Sequence, residues 1–368
     1  MKIKTITCHR VYNFGASLQA YALMSYLKQL GHDVEIIDYM PPYIRKNLSL
    51  WAIGERWSRN LLIRCAFYCY VVPIRLLQAK SRAKFDTFTR DYMRLTRRYN
   101  TLEELRDDPP EADIYICGSD QIWNPNIGNG LDPAFYNDFA PMSSIRASYA
   151  ASFSLSEIAA PHKHLIQRML KSLDYISVRE SSALTILRDM GIKRGVQVVD
   201  PVFLLHREEW LRMSYRPRYS NYILVYDQEN SSTIKQIAKY LSRESGKKIV
   251  AFKDLYRRDY ADHVEPYCGP IDFISLIAYA DVVITNSFHC TAFSLILNRD
   301  FYVVARTHQR VNSRMADLLS EVEAPDRLVD SVESSQSVKT LNYNTIESKI
   351  GMIKESSFQY INRVLSQK

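Results

Sequence analysis

Short apolar runs recur along the chain with helical stretches between them. Residues 4–8, 34–38, 114–117, 147–150, 175–178 and 196–199 are mostly apolar on both faces and rich in β-branched or aromatic side chains. That pattern predicts buried strands. Helical spacing covers 17–30 and 180–190, and each stretch is followed by a glycine, Gly31 and Gly191, the residue that most easily takes the left-handed position after a helix. The pattern restarts after Pro201. Strands are expected at 222–226, 248–252, 282–285 and 301–304, and helices at 232–245, 273–280, 288–297 and 313–321. A last helix is expected at 346–365. Strand–helix alternation implies parallel strands with crossover helices. The expected fold is therefore α/β, with two Rossmann-like domains facing a cleft: an N-terminal domain over 1–205, a C-terminal domain over 206–340 and a terminal helix over 341–368.

The length, 368 residues, suits two domains at roughly 150 residues each. The first residues read as a strand and lack the apolar run and cleavage site of a signal peptide. Six cysteines sit mostly inside apolar runs, as reduced thiols of a cytoplasmic protein would. Cys65 and Cys69, four apart on an apolar helix, read as core packing rather than a metal pair. No cluster with metal-ligand spacing occurs near the loops discussed below, so no metal is expected.

Charge changes the picture in one region. The net charge is +8, yet 45–98 alone holds 13 basic and 3 acidic residues, so the remainder of the chain is slightly acidic. This basic segment reads as a helical insertion in the first domain. Within it, 61–77 is apolar but carries Arg64, Pro73 and Arg75 and is short for a membrane span. Two readings stand: an amphipathic surface lying peripherally on an anionic membrane, or a helical hairpin packed on its own domain with a solvated basic face. Nothing resembling a base-stacking or recognition-helix module accompanies the charge, so nucleic acid is not an expected partner.

Ligands of open α/β sheets bind at the carboxyl ends of strands, where loops run into helix N-termini. Four such junctions stand out. In the first, Asn13, Gly15 and Gln19 offer neutral hydrogen bonds and a close backbone approach, or else an ordinary turn and cap; no GxGxxG fingerprint is present. In the second, Ser119, Asp120, Gln121, Trp123 and Asn124 crowd polar and aromatic groups into one loop, for contact with a sugar acceptor or for an internal brace. In the third, Arg179 ends a strand, placed either to hold a carboxylate or phosphate or to pair with Asp200. In the fourth, Asn286, Ser287, Phe288 and His289 open a helix whose N-terminus favours an anion, with His289 in its first turn. Arg306, His308, Arg310 and Arg314 follow as a basic stretch that can close over an anion.

Taken in order, Tyr12-Asn13-Phe14-Gly15-Ala16-Ser17-Leu18-Gln19, Gly118-Ser119-Asp120-Gln121-Ile122-Trp123-Asn124, Ser177-Val178-Arg179-Glu180, Asp200-Pro201-Val202-Phe203 and Thr285-Asn286-Ser287-Phe288-His289 resemble the polysaccharide pyruvyl transferase family. The resemblance implies a fold similar to GT-B-type glycosyltransferases. It implies phosphoenolpyruvate as co-substrate with no resident cofactor, and a sugar acceptor in a capsule or exopolysaccharide precursor, often lipid-linked at the inner face of the membrane. The product would be a pyruvate ketal across two hydroxyls, with phosphate released. It maps donor binding onto Arg179 and His289, with His289 beside the phosphate and able to act as acid. Some members carry Arg-Leu-His where this chain has Ser287-Phe288-His289, so an arginine must come from elsewhere, with Arg310 and Arg314 as the candidates. The competing expectations are a GT-B-type glycosyltransferase using a nucleotide sugar and a non-catalytic partner docking through 45–98.

Overall fold

The structure, a computed structural model, describes residues 1–48, 51, 53, 60–252, 258–307 and 312–367. Five strands form the first sheet: β1 (Lys2–Ile6), β2 (Asp33–Tyr39), β3 (Leu95–Tyr99), β4 (Ile114–Cys117) and β5 (Ile145–Ser148), in the order β3-β2-β1-β4-β5, all parallel. A parallel pair, β6 (Ile176–Val178) and β7 (Gly195–Gln197), continues it beyond β5 through bridges from Ala147 to Tyr175 and from Ala151 to Val178. The second sheet contains β8 (Tyr222–Tyr226), β9 (Lys248–Phe252), β10 (His263–Glu265), β11 (Val282–Thr285), β12 (Asp300–Val304) and β13 (Leu328–Val329), ordered β10-β9-β8-β11-β12-β13 and again parallel. Central strands such as β4 are buried at every position, which is why they read as unbroken apolar runs. Two wound parallel sheets across a cleft are the expected GT-B-like architecture.

Each sheet reverses its winding direction once. In the first the reversal falls between β1 and β4, in the second between β8 and β11. At such a point neighbouring loops diverge to opposite faces and leave a crevice. The two crevices face one another. Phe14, opening the helix Phe14–Gln29 after β1, inserts among aromatic rings of the second domain and stacks on Phe273 at 4.7 Å. The terminal helix Tyr343–Leu365 crosses back to the first domain. Phe358 stacks on Tyr26, the Tyr360 hydroxyl donates to the Ser148 carbonyl at 2.6 Å, and Ser357 accepts from the Val199 N–H at 2.9 Å.

The basic segment departs from its expected helical form. Helices cover Leu61–Leu77 and Ala79–Tyr92, but the segment ends in β3, at the edge of the first sheet. Arg94, Arg97 and Arg98 there pair with carboxylates, respectively Asp33 and Glu35, Asp108, and Asp38. Charges on an edge strand block further strand pairing, and they also hide its strand character in the sequence. Cys65 and Cys69 are exposed rather than packed in a core.

Candidate active site

A cavity of about 320 Å³ lies where the two crevices meet. The loop after β1 contributes Asn13, Phe14 and Gly15, and the loop after β4 contributes Asp120 and Gln121. From the second domain come Tyr226 at the end of β8 and Gln228 after it, Asn286 to His289 after β11, and Arg306, Arg314 and Met315.

The fourth junction builds one wall of the cavity. Ser287 is the N-cap of the helix Phe288–Ile296, its hydroxyl accepting from the Cys290 N–H. The first turn of any helix leaves N–H groups without internal acceptors, and its dipole is positive there. Asn286 is held from both ends: its amide donates to Asp227 at 2.8 Å and its carbonyl accepts from the Gln228 N–H at 2.9 Å. His289 stands in that first turn. Its Nε2 lies 3.5 Å from Asp200 and has no hydrogen-bond partner among the described residues. Its Nδ1 packs against Gly15 so closely that a Cβ there would sit 2.0 Å from it. The close approach expected at Gly15 is therefore made by the imidazole itself.

Arg179 is buried and turned toward carboxylates, with Asp200 at 2.6 Å and Asp120 at 3.4 Å. Burial alone would lower its pKa, but Asp200 and Asp120 outweigh that and raise it. Of the two readings for Arg179, the pairing with Asp200 is the one the structure displays. Asp200 is itself fully buried. Burial pushes its carboxyl up, yet His289 and Arg179 together hold it well below the usual carboxylate range. Asp200 thus joins the strand-end arginine of one domain to the helix-start histidine of the other. The sequence offered it only as a partner for Arg179; its place beside His289 is a contact between domains, which local pattern does not encode.

Arg314 differs from Arg179. It is buried, lies with its guanidinium carbon 5.6 Å from the Phe288 ring centre, and has no hydrogen bond or ion pair among the described residues. Burial first, then the adjacent Arg179, pull its pKa down to about 10 despite nearby carboxylates. Arg179 also faces the Phe288 ring, at 4.9 Å. Arg306 lines the cavity but is paired with Glu229 at 3.3 Å. His308 and Arg310 lie outside the described residues.

The remaining expected acceptor residues divide. Asn13 caps its helix by accepting from the Ala16 N–H at 3.1 Å, and still borders the cavity beside Gly15, Asp120 and Gln121. Gln19 and Ser119 do not: Gln19 donates to Thr7 and accepts from the Ser119 N–H, and the Ser119 hydroxyl donates to the Ala150 carbonyl, all within the core. Trp123 is fully buried, stacked on Tyr136 at 5.4 Å, with its indole N–H donating to the Phe135 carbonyl at 2.9 Å. Asn124 bonds within its own loop, to Gln121 and the Asn126 N–H. For these four the internal brace replaces the acceptor contact, because their hydrogen-bonding groups are already used. Gly118 makes the loop possible: φ is +121° and a Cβ would lie 2.2 Å from the Tyr149 carbonyl oxygen. Tyr226 and Gln228 were not marked by the sequence, although they lie at the carboxyl end of β8 as Asn286 lies at that of β11.

Solved structures similar to this chain include a Neisseria meningitidis UDP-GlcNAc 2-epimerase bound to UDP-GlcNAc, with 11% identity over 98% of this chain and 100% of that one and a TM-score of 0.46. A Staphylococcus aureus MnaA–UDP structure shares 13% identity over 100% of this chain and 97% of that one, with a TM-score of 0.48. Escherichia coli heptosyltransferase WaaC with an ADP-heptose analogue shares 12% over 83% and 88%, with a TM-score of 0.40. No curated protein sequence matches the chain. A family model described as polysaccharide pyruvyl transferase matches residues 13–308, most of the chain and every residue that lines the first-domain side of the cavity. The chain belongs to the polysaccharide pyruvyl transferase family.

Proposed function

We propose that this protein transfers the enolpyruvyl group of phosphoenolpyruvate onto two hydroxyls of a sugar in a polysaccharide or lipid-linked oligosaccharide precursor. The carrying observation is Arg314: a buried arginine at the cavity wall without an anionic partner among the described residues. A buried cation is costly unless paired, and a dianionic or trianionic donor supplies the missing charge. Arg314 stands in for the arginine absent at Ser287, and the N-terminus of Phe288–Ile296 adds unpaired N–H groups on the same wall.

A proton adds to the methylene carbon of the donor, leaving the central carbon electrophilic. One sugar hydroxyl attacks it and loses its proton. The second hydroxyl then displaces phosphate, breaking the central carbon–oxygen bond, and its proton leaves with the phosphate. His289 is the group placed to give and recover a proton, held by Gly15 on one side and Asp200 on the other. Arg179 positions Asp200 and Asp120. Asp120, half-open to the cavity, faces the side from which an acceptor hydroxyl would come. The donor is consumed as a co-substrate.

Labelled phosphoenolpyruvate incubated with lipid-linked or aryl glycosides is expected to yield labelled ketal and one phosphate per transfer. Phosphate without incorporation, or turnover only with a nucleotide sugar, overturns the reading. In calorimetric titration Arg314→Ala should weaken donor binding by about 2–4 kcal/mol, the scale for losing one partner of a desolvated charge pair. Unchanged affinity removes Arg314 from the donor site.

A further inference from the structure

The helix Leu61–Leu77 has an apolar face that the other described residues leave uncovered. Leu61, Leu62, Tyr70 and Leu76 are 67%, 79%, 71% and 56% exposed, and Cys65, Cys69 and Pro73 are exposed as well. At 3.6 residues per turn, Leu62, Cys65, Cys69, Pro73 and Leu76 fall on one stripe. Arg64 and Arg75, eleven residues or three turns apart, stand together on the other side of the helix, roughly 130° around from the stripe. Contiguous apolar surface of this kind on a folded chain marks an interaction face. At 17 residues the helix is roughly 25 Å long, shorter than a hydrocarbon core of about 30 Å. No described helix is long and apolar enough to cross a membrane.

We infer that this helix lies flat in the interface of an anionic bilayer and holds the cleft mouth against it. Charge complementarity selects this occupant over a second copy of the chain. Leaving aside Lys84, Arg94, Arg97 and Arg98, which pair with carboxylates outside it, the surrounding segment 45–98 still carries 9 basic and 3 acidic residues, so two copies placed face to face would repel. An apolar stripe on one side of a helix with arginines on the other, and aromatic residues such as Tyr70 between, is the pattern that enters a headgroup region. The link to the cleft is direct. The next helix, Ala79–Tyr92, starts two residues later and reaches both domains: Phe85 stacks on the cavity residue Phe14 at 5.3 Å, and Lys84 pairs with Asp272 of the second domain at 2.9 Å. A bilayer on Leu61–Leu77 is thereby joined to the cleft through a single helix. This deepens the proposed function by naming where the acceptor is presented, and it rests on that reading only for the acceptor; the surface binding itself requires no turnover.

The test is co-sedimentation of the full chain with vesicles of phosphatidylcholine alone or mixed with phosphatidylglycerol. Binding is expected only to the mixed vesicles, weakening as salt rises from about 0.05 to 0.5 M. Leu62→Glu with Leu76→Glu should cut it at least about tenfold, and Arg64→Glu with Arg75→Glu by a similar factor, with far-UV circular dichroism and turnover of a water-soluble aryl glycoside unchanged. Absence of wild-type binding to the mixed vesicles overturns the inference. So does equal binding to neutral vesicles, or a dimer in sedimentation equilibrium that the same substitutions dissolve. Vesicle binding by a protein inactive toward phosphoenolpyruvate would sink the proposed reaction and leave this surface standing.

Discussion

A glycine decides where the histidine of this cleft can stand. Gly15 is not in a left-handed conformation; it is required because the His289 ring occupies the space of its side chain. A methyl group there must push the imidazole toward the cavity. Gly15→Ala should therefore fold with little loss of stability but lower turnover by about 100-fold, the scale for displacing a reacting group by roughly 1 Å. Steady-state kinetics checks this, and a near-normal turnover would detach His289 from the reaction. Position along the sequence made both residues visible, since each follows a strand. Their mutual contact was not, because it joins residues 274 places apart on different domains. Trp123 failed the other way. Its polar neighbours marked the loop, but nothing local tells that the indole turns inward onto Tyr136.

Among the elements, parallel strands were the most legible, since burial on both faces leaves an unbroken apolar run. β8, β9 and β11 fall where the pattern put them. β10 and β13 escaped because three and two residues are too few to show a period. The helix Phe288–Ile296 was legible from its start signal, Ser287, and that cap can be weighed. Replacing a capping serine by alanine costs about 1 kcal/mol in general. Here the hydroxyl lies 3.5 Å from the Cys290 N–H, a long contact, and the helix is buried along most of its length. Ser287→Ala is expected to cost about 0.5 kcal/mol in urea denaturation. A loss above about 2 kcal/mol would show that the serine does more than cap.

Across the whole molecule, Asp200 ties the two domains together through Arg179 and His289. Its pKa in the folded protein lies below the ordinary value, since those partners outweigh the effect of burial. The stabilisation is therefore complete above the unfolded carboxylate value, about pH 4, and is lost as the pH falls through the lower folded value. Asp38, which His9 and Arg10 hold down in the same direction against burial, adds to that acid sensitivity within the first domain. Thermal midpoints should be level near neutrality and drop in acid. Asp200→Asn should lower the neutral midpoint, at a cost of about 3–5 kcal/mol for breaking a buried pair, and should flatten the acid limb. A variant whose acid limb matches the wild type would show that Asp200 is not the group being titrated.

The return of Tyr343–Leu365 to the first domain carries a consequence for synthesis. Tyr26, Ser148, Tyr149 and Val199 are made early, yet their cover, from Ser357 to Tyr360, emerges from the ribosome only after the second domain. The first domain must wait with an apolar, hydrogen-bonding face open until that later helix has been made. During that interval a nascent chain offers chaperones a sticky surface that the finished protein conceals.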